Sequence, residues 1–406
     1  MAKKIIFLTL MIVAGGTAFF VFKGKTMEID FGKNGGAVVK VVDGVKVLEK
    51  EKPRPLLNSP ENIRALYVTS WVAATPSILK NVFKASEGTK VNAFVVDIKD
   101  YSGYVAYNSS IPEVLKYEAE DLRIKDLAEL VFSMHEKNIY AIARIAVFQD
   151  PRLAKARPDL AIKDSKGKVW ADNKGLSWVD PASEEVWKYN SAIAKEALDY
   201  GFDEINFDYV RFPTDGNGID TLSFPFFKKE DTKSEAIKKF FEYMRSDLAG
   251  AKISVDVFGQ TTVADGDFGI GQTIEDAYDN FDFIAPMVYP SHFYTGFMGY
   301  KNPAAYPYEV IKYSMESALL KLAKHEASSL GRQVTATTTL ASLPEESRER
   351  IIKKMRPWIQ DFDLGSVYTV EMVKKEMEGI KDAGLRDSWM VWNPKNDYKR
   401  DVFLEE

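Results

Sequence analysis

Five aspartates sit at matching places in this chain, each at or just beyond the end of a short apolar run: Asp97, Asp150, Asp208, Asp256 and Asp361. Their neighbours are as telling as the acids. Lys99 and Asp100 follow Asp97; Arg144 lies within the third run, with Gln149 after it; Arg211 follows Asp208 in "GFDEINFDYVRFP"; Gln260 follows Asp256; Gln360 precedes Asp361. Runs without an acid end in Ser70-Trp71, in Tyr289 with His292 just beyond, and in Trp392-Asn393. A core needs none of these groups, because an unpaired buried carboxylate costs several kcal/mol. Any one of the acids alone reads equally well as a helix cap or the partner of an arginine. All of them converging at one mouth reads as a site.

Paired carboxylates among aromatic and amide side chains fit the cleavage of glycosidic bonds. One carboxylic acid protonates the leaving oxygen, while a carboxylate attacks or stabilises the oxocarbenium-like carbon. Tryptophan and tyrosine faces stack on sugar rings, and Asn, Gln, Arg and His hold hydroxyls. Other chemistries find little support. There is no Cys, so thiolate nucleophiles and Cys-ligated metals are excluded. Only His135, His292 and His325 are present, without HExxH spacing, which speaks against a metal centre and weakens a metal-dependent polysaccharide deacetylase. No GxSxG motif and no glycine fingerprint at a strand–helix junction appears, and no organic cofactor is expected. Net charge is −5 with both signs interspersed, unlike the basic footprint of a nucleic-acid binder.

Eight apolar runs would position these residues as strands: 65–71, 93–98, 140–148, 204–210, 253–258, 283–289, 355–361 and 388–392. Helical patterns at 76–86, 124–137, 183–200, 234–249, 308–330 and 370–383 lie between them. Near-continuous apolar strands separated by amphipathic helices indicate a parallel sheet covered by helices. Eight such units suggest a (β/α)8 barrel, whose active face is formed by the C-terminal strand ends; a doubly wound open sheet is the alternative. The segment 331–354, with its own strand-like "QVTATTT", reads as an insertion, although it could supply the seventh strand instead. The loop "PTDGNGIDTLSFPFFKKED" after Arg211 is either a lid or a surface excursion. Trp178, in the loop "GLSWVDP", is the better stacking candidate; Trp187 lies on an apolar helical face. Asp180 and Ser183 read as helix-start residues, and His135 and His325 as surface residues on helices.

The N-terminus carries a separate message. Lys3 and Lys4 precede the apolar run 5–22, with Lys23 and Lys25 after it. As a helix it would extend ~27 Å, enough to cross a bilayer core, and the leading positive charge keeps that end in the cytoplasm. Cleavage after Gly16-Thr17-Ala18 is the rival reading, giving a secreted product. The expected organisation is an anchor or signal peptide over 1–25, a linker with a possible hairpin turning at Asp43-Gly44 over 26–62, and a catalytic domain over 63–406.

The runs "FVVDIKDYSGYVAYNS", "IARIAVFQDPRLAKARPDLAIKD", "GLSWVDPASEEVWKYN", "FDEINFDYVRFPTDG", "VDVFGQTT", "IAPMVYPSHF", "RPWIQDFDLG" and "WMVWNP" together resemble a glycoside-hydrolase family of bacterial exported proteins that was long filed as a domain of unknown function. The resemblance runs from about Arg64 to Tyr398. It implies a (β/α)8 barrel related to the α-amylase and α-galactosidase types, with the acid ending the fourth strand, here Asp208, as nucleophile. In related barrels the proton donor lies at or after the fifth strand and is usually Glu; here the candidate is Asp256, with Asp97 and Asp361 as rivals. Trp71, Asp97, Lys99, Arg144, Trp178, Arg211, Gln260, Tyr289, His292, Gln360, Asp361, Trp392 and Asn393 are the expected substrate contacts. The chain thus reads as a membrane-anchored, extracytoplasmic, retaining glycosidase acting on an envelope or secreted polysaccharide. A non-catalytic carbohydrate-binding barrel is the alternative from a different class.

Overall fold

Strands whose residues are buried on both faces must be sandwiched, and the computed structural model shows what covers each side. It describes residues 54–405 in full and, ahead of them, the backbone of two strands, β1 (Ala37–Val42) and β2 (Val45–Lys50), paired antiparallel. The apolar N-terminal run and the turn at Asp43-Gly44 lie outside the described residues. Among the described residues, no helix is long and apolar enough to cross a membrane.

Ten more strands follow in chain order: β3 (Arg64–Val68), β4 (Ala93–Lys99), β5 (Val105–Tyr107), β6 (Glu120–Ile124), β7 (Tyr140–Ala146), β8 (Glu204–Asp208), β9 (Ile253–Phe258), β10 (Phe283–Met287), β11 (Trp358–Gln360) and β12 (Trp389–Trp392). Eight of them, β3, β4 and β7 to β12, pair parallel with their neighbours in that order, and β12 pairs with β3 to close the ring. All eight fall on the expected apolar runs. Two features lie outside the sequence pattern: the excursion of β5, antiparallel to β4, and β6, parallel to β5, and the short helix Ile274–Asn280.

Strand alternation sorts side chains into two layers. Leu66, Val68, Phe94, Val96, Ala141, Ala143, Ile205 and Phe207 face the surrounding helices. Ala65, Tyr67, Ala93, Val95, Tyr140 and Ile142 face the lumen. Continuing the lumen-facing parity toward the strand ends gives Asp97, Arg144, Asn206 and Asp208. Register then makes neighbours of them: Asp97 lies opposite Arg144, and Arg144 opposite Asn206.

The helices occupy the expected patterns, including Pro76–Ser86, Glu184–Asp199, Lys233–Asp247, Pro307–Ser329 and Val370–Asp382. Thr232 and Glu235 form a reciprocal cap at the start of Lys233–Asp247. The segment 331–354 contributes no strand. Its threonines turn back on themselves, Thr338 Oγ1 accepting from Thr335 N at 2.9 Å, and residues Glu345–Lys354 form a helix before β11.

Candidate active site

The strand ends open into a cavity of about 430 Å³. Asp208, Asp256, Arg144, Arg211, Gln260, Tyr289, His292 and Trp392 line it, together with Tyr67, Lys174, Tyr209, Phe258, Gly259, Phe268, Met287, Phe293, Tyr294 and Trp358.

Arg144 is the hub. Its Nη1 donates to Asp97 Oδ1 at 2.5 Å, its Nη2 donates to Asp208 Oδ2, and its Nε stands 3.5 Å from Asp256 Oδ2. One guanidinium thus serves three carboxylates from the second, fourth and fifth barrel strands. Asp208 ends β8, and the chain turns sharply after it: Tyr209 is held at φ 54°, the left-handed region that a bulky residue enters only at a cost of about 1–2 kcal/mol. That turn brings the Tyr209 N–H to Asp208 Oδ1 at 2.5 Å. The Asp208 oxygens therefore face a guanidinium and an amide, the surroundings of a carboxylate.

Asp256 is placed differently. Its Oδ1 accepts from Asn206 Nδ2 at 2.9 Å and from Trp358 Nε1 at 2.7 Å, while its Oδ2 has no hydrogen-bond partner. Burial, and then the nearby negative charge of Asp208, push its carboxyl up to about 7, against the pull of Arg144. With two donors on Oδ1, the proton belongs on Oδ2. Asp256 thus holds its proton to far higher pH than a free carboxyl does.

Several expected contacts lie elsewhere, for identifiable reasons. Lys99 would share the lumen face of Asp97 under strict alternation, but the register shifts between them and Lys99 pairs opposite Ile145. Its side chain is fully buried in the outer layer, 2.8 Å from Asp150 Oδ2. Asp97 faces the lumen beneath the cavity wall, taken by Tyr67 Oη and Arg144; burial raises its pKa. Trp178 is not a stacking platform: it is fully buried, donates from Nε1 to Asp172 Oδ2 at 3.1 Å, and lies 4.8 Å from the Arg211 guanidinium. Trp71 is 61% exposed outside the cavity, under the guanidinium of Arg123 at 4.5 Å. Gln360 is buried and accepts from Ser291 Oγ at 2.7 Å, bracing the loop that carries Tyr289 and His292. Asn393 Nδ2 donates to the Asp361 carbonyl at 2.6 Å. Burial raises the Asp361 carboxyl to about 6, but it does not line the cavity. His135 is no surface residue; it is buried against Asp203 at 2.9 Å. Asp180 does more than start a helix, accepting from the Phe226 and Phe227 N–H groups at 2.6 and 3.0 Å and so pinning the loop after Arg211. No residue of that loop beyond Arg211 lines the cavity.

Among the missed residues, Lys174 had a legible signal. It sits in the turn of "WADNKGLSW", with Gly175 at φ 78° and Asp172 Oδ1 accepting from the Lys174 N–H at 2.9 Å. Tyr67, Asn206 and Trp358 had none, since each sits within a strand, ahead of its C-terminal residue, where an apolar core residue would serve. Among the described residues, no cluster of His, Cys, Asp and Glu could hold a metal ion.

Residues 65–398 match the protein family described as "Putative glycosyl hydrolase domain". No curated protein sequence matches the chain. Among solved structures, it is similar to a hypothetical protein from Ruminiclostridium thermocellum, at 39% identity over 47% of this chain and 97% of that one, with a TM-score of 0.44. It is also similar to the α-galactosidase of Thermus thermophilus in complex with stachyose, at 13% identity over 86% of this chain and 65% of that one, with a TM-score of 0.45. The spore cortex-lytic enzyme SleL of Bacillus megaterium is similar at 12% identity, over 90% and 77% of the two chains, with a TM-score of 0.46.

Proposed function

The chain belongs to that glycosyl hydrolase family, and on this premise we propose that it hydrolyses an O-glycosidic bond with Asp208 as nucleophile and Asp256 as proton donor. The observation that carries the roles is the asymmetry of the pair. A buried carboxyl with its pKa raised to about 7 stands beside a carboxylate held by a guanidinium and an amide, in one cavity. In the first step Asp208 bonds to the anomeric carbon as the bond to the leaving oxygen breaks, and the Asp256 proton passes to that oxygen. In the second, Asp256 takes a proton from water, the water oxygen bonds to the anomeric carbon, and Asp208 is released. Arg144 stays charged throughout and steadies whichever carboxylate is ionised.

We also propose an extracytoplasmic protein anchored by residues 5–22, acting on an envelope or secreted polysaccharide. The apolar run with basic flanks supports this reading. Fractionation with membranes, released by removal of the first 53 residues, is the expected behaviour; a mature N-terminus at Phe19 would replace anchorage by secretion. The catalytic reading is tested by new reducing ends from a panel of α- and β-linked polysaccharides. Asp208→Asn should lower turnover at least 10³-fold, with sugar binding retained. Full activity in Asp208→Asn would refute the assignment, and binding without turnover by the wild type across the panel would favour a carbohydrate-binding barrel.

A further inference from the structure

The cavity wall contains a buried cation for which the two-carboxylate chemistry has no use. Arg144 is occupied by three acids, but among the described residues none stands within ion-pair distance of Arg211, although Asp208, Asp215 and Asp172 act on it from farther off. It is only 7% exposed, its Nη1 donates to the Phe212 carbonyl at 3.0 Å and to Thr214 Oγ1 at 3.5 Å, and its Nε has no hydrogen-bond partner. Among the described residues it forms no ion pair. The Phe258 and Trp178 rings lie 4.5 and 4.8 Å from the guanidinium. Ring contacts of this kind offset part of the cost of burying a charge; they supply no acceptor. What remains beside the enclosed Nε is Nη2, which has no hydrogen-bond partner among the described residues and is a charged donor suited to the oxygens of a carboxylate or of an ester phosphate or sulfate.

A second cation stands at the rim. Lys174 is exposed, lines the cavity, and has no ion pair among the described residues. The acid of its own turn, Asp172, is already engaged: Oδ1 accepts from the Lys174 and Leu176 N–H groups, and Oδ2 from Gln149 and Trp178. Asp172 therefore ties the two cations together, fixing the turn that presents Lys174 and the indole beneath Arg211. In a chain of net charge −5, two unpaired cations at one cavity are not the expression of a generally basic surface.

We propose that the cavity binds a sugar unit bearing an anionic group, a carboxylate as in a uronic acid or an ester sulfate or phosphate, with Arg211 holding its oxygens and Lys174 reaching it from the rim. This names the substrate class of the glycosidase reading and rests on it.

The test is affinity electrophoresis of the full chain in non-ionic detergent, through gels containing polygalacturonate, alginate, dextran sulfate, a phosphorylated mannan, neutral dextran or neutral hydroxyethylcellulose. Retardation by at least one anionic polymer, and by neither neutral one, is the expected result. Which anionic gel retards the protein separates carboxylate from sulfate and phosphate. Arg211→Met should weaken the retardation at least tenfold. Because that side chain is buried, Lys174→Glu, an exposed change in a turn, is the second variant and should weaken it by a similar factor. No retardation by any anionic polymer, equal retardation by the neutral ones, or unchanged retardation in Lys174→Glu would overturn the proposal. New reducing ends from neutral polymers alone would leave the glycosidase reading standing and remove this one; retardation by anionic polymers without new reducing ends would do the reverse.

Discussion

Replacing Asp256 by Asn should make the protein more stable at pH 8 while all but abolishing its activity. The wild-type carboxyl ionises at about 7 in the fold, against 3.8 when unperturbed. Folded, it holds its proton to higher pH than the unfolded chain does. Stability therefore falls as pH rises from about 4 to about 7, and the loss is complete above 7. Three pKa units correspond to about 4 kcal/mol. Asn carries no charge and avoids this cost. Its carbonyl can still accept from Asn206 and Trp358, but its amide then faces Arg144 Nε, donor against donor, which costs about 1–2 kcal/mol. The net expectation is a gain of about 2 kcal/mol at pH 8 and a loss of about 1 kcal/mol at pH 4, where the folded wild-type carboxyl is protonated and only part of the linkage cost has yet appeared in the unfolded chain. Urea denaturation of both proteins at the two pH values reads this directly. Turnover should fall by about 10²–10⁴ on substrates with poor leaving groups, and less on activated aryl glycosides. Wild-type kcat/KM should decline as pH rises through about 7, a limb that the variant lacks. A variant destabilised equally at pH 4 and pH 8 would refute the assignment of a buried, protonated acid.

Arg144→Met removes the one cation facing three carboxylates, so the Asp256 pKa should climb further, moving the alkaline limb of residual activity to higher pH; a limb that stays at 7 would count against the hub. Trp178→Ala should cost about 3–5 kcal/mol in urea denaturation, as for a fully buried indole, whereas an exposed stacking residue would lose binding without stability. Gly259→Ala should destabilise by about 1–3 kcal/mol, because its Cβ would stand 2.5 Å from the Met287 carbonyl oxygen; wild-type stability would mean that the β9 and β10 ends can separate freely.

The barrel was legible in the chain because its information is local. An apolar strand buried on both faces announces itself in a few residues, and eight such runs with helices between them leave few topologies. The same local pattern placed Asp208, Asp256, Arg211 and Tyr289 at strand ends. What one strand end cannot say is where its side chains go. Lys99 and Asp97 look alike in sequence, two residues apart, yet one register shift against β7 sends Lys99 into the outer layer beside Asp150. Trp178, in a loop, and Tyr289, at a strand end, are both aromatic, but the Trp170–Trp178 hairpin folds the Trp178 indole under Arg211 while Tyr289 faces the cavity. Asp361 carries the same residue type at the same end as Asp256 but does not line the cavity.

Composition and periodicity determined the strands, the helices and the end of the barrel where acids gather. Tertiary structure decided which acids share the cavity, which one stays protonated, and that Arg144 bridges them. The reason is that radial direction and charge coupling depend on register and burial, which arise between strands distant in sequence and have no signature within any one of them.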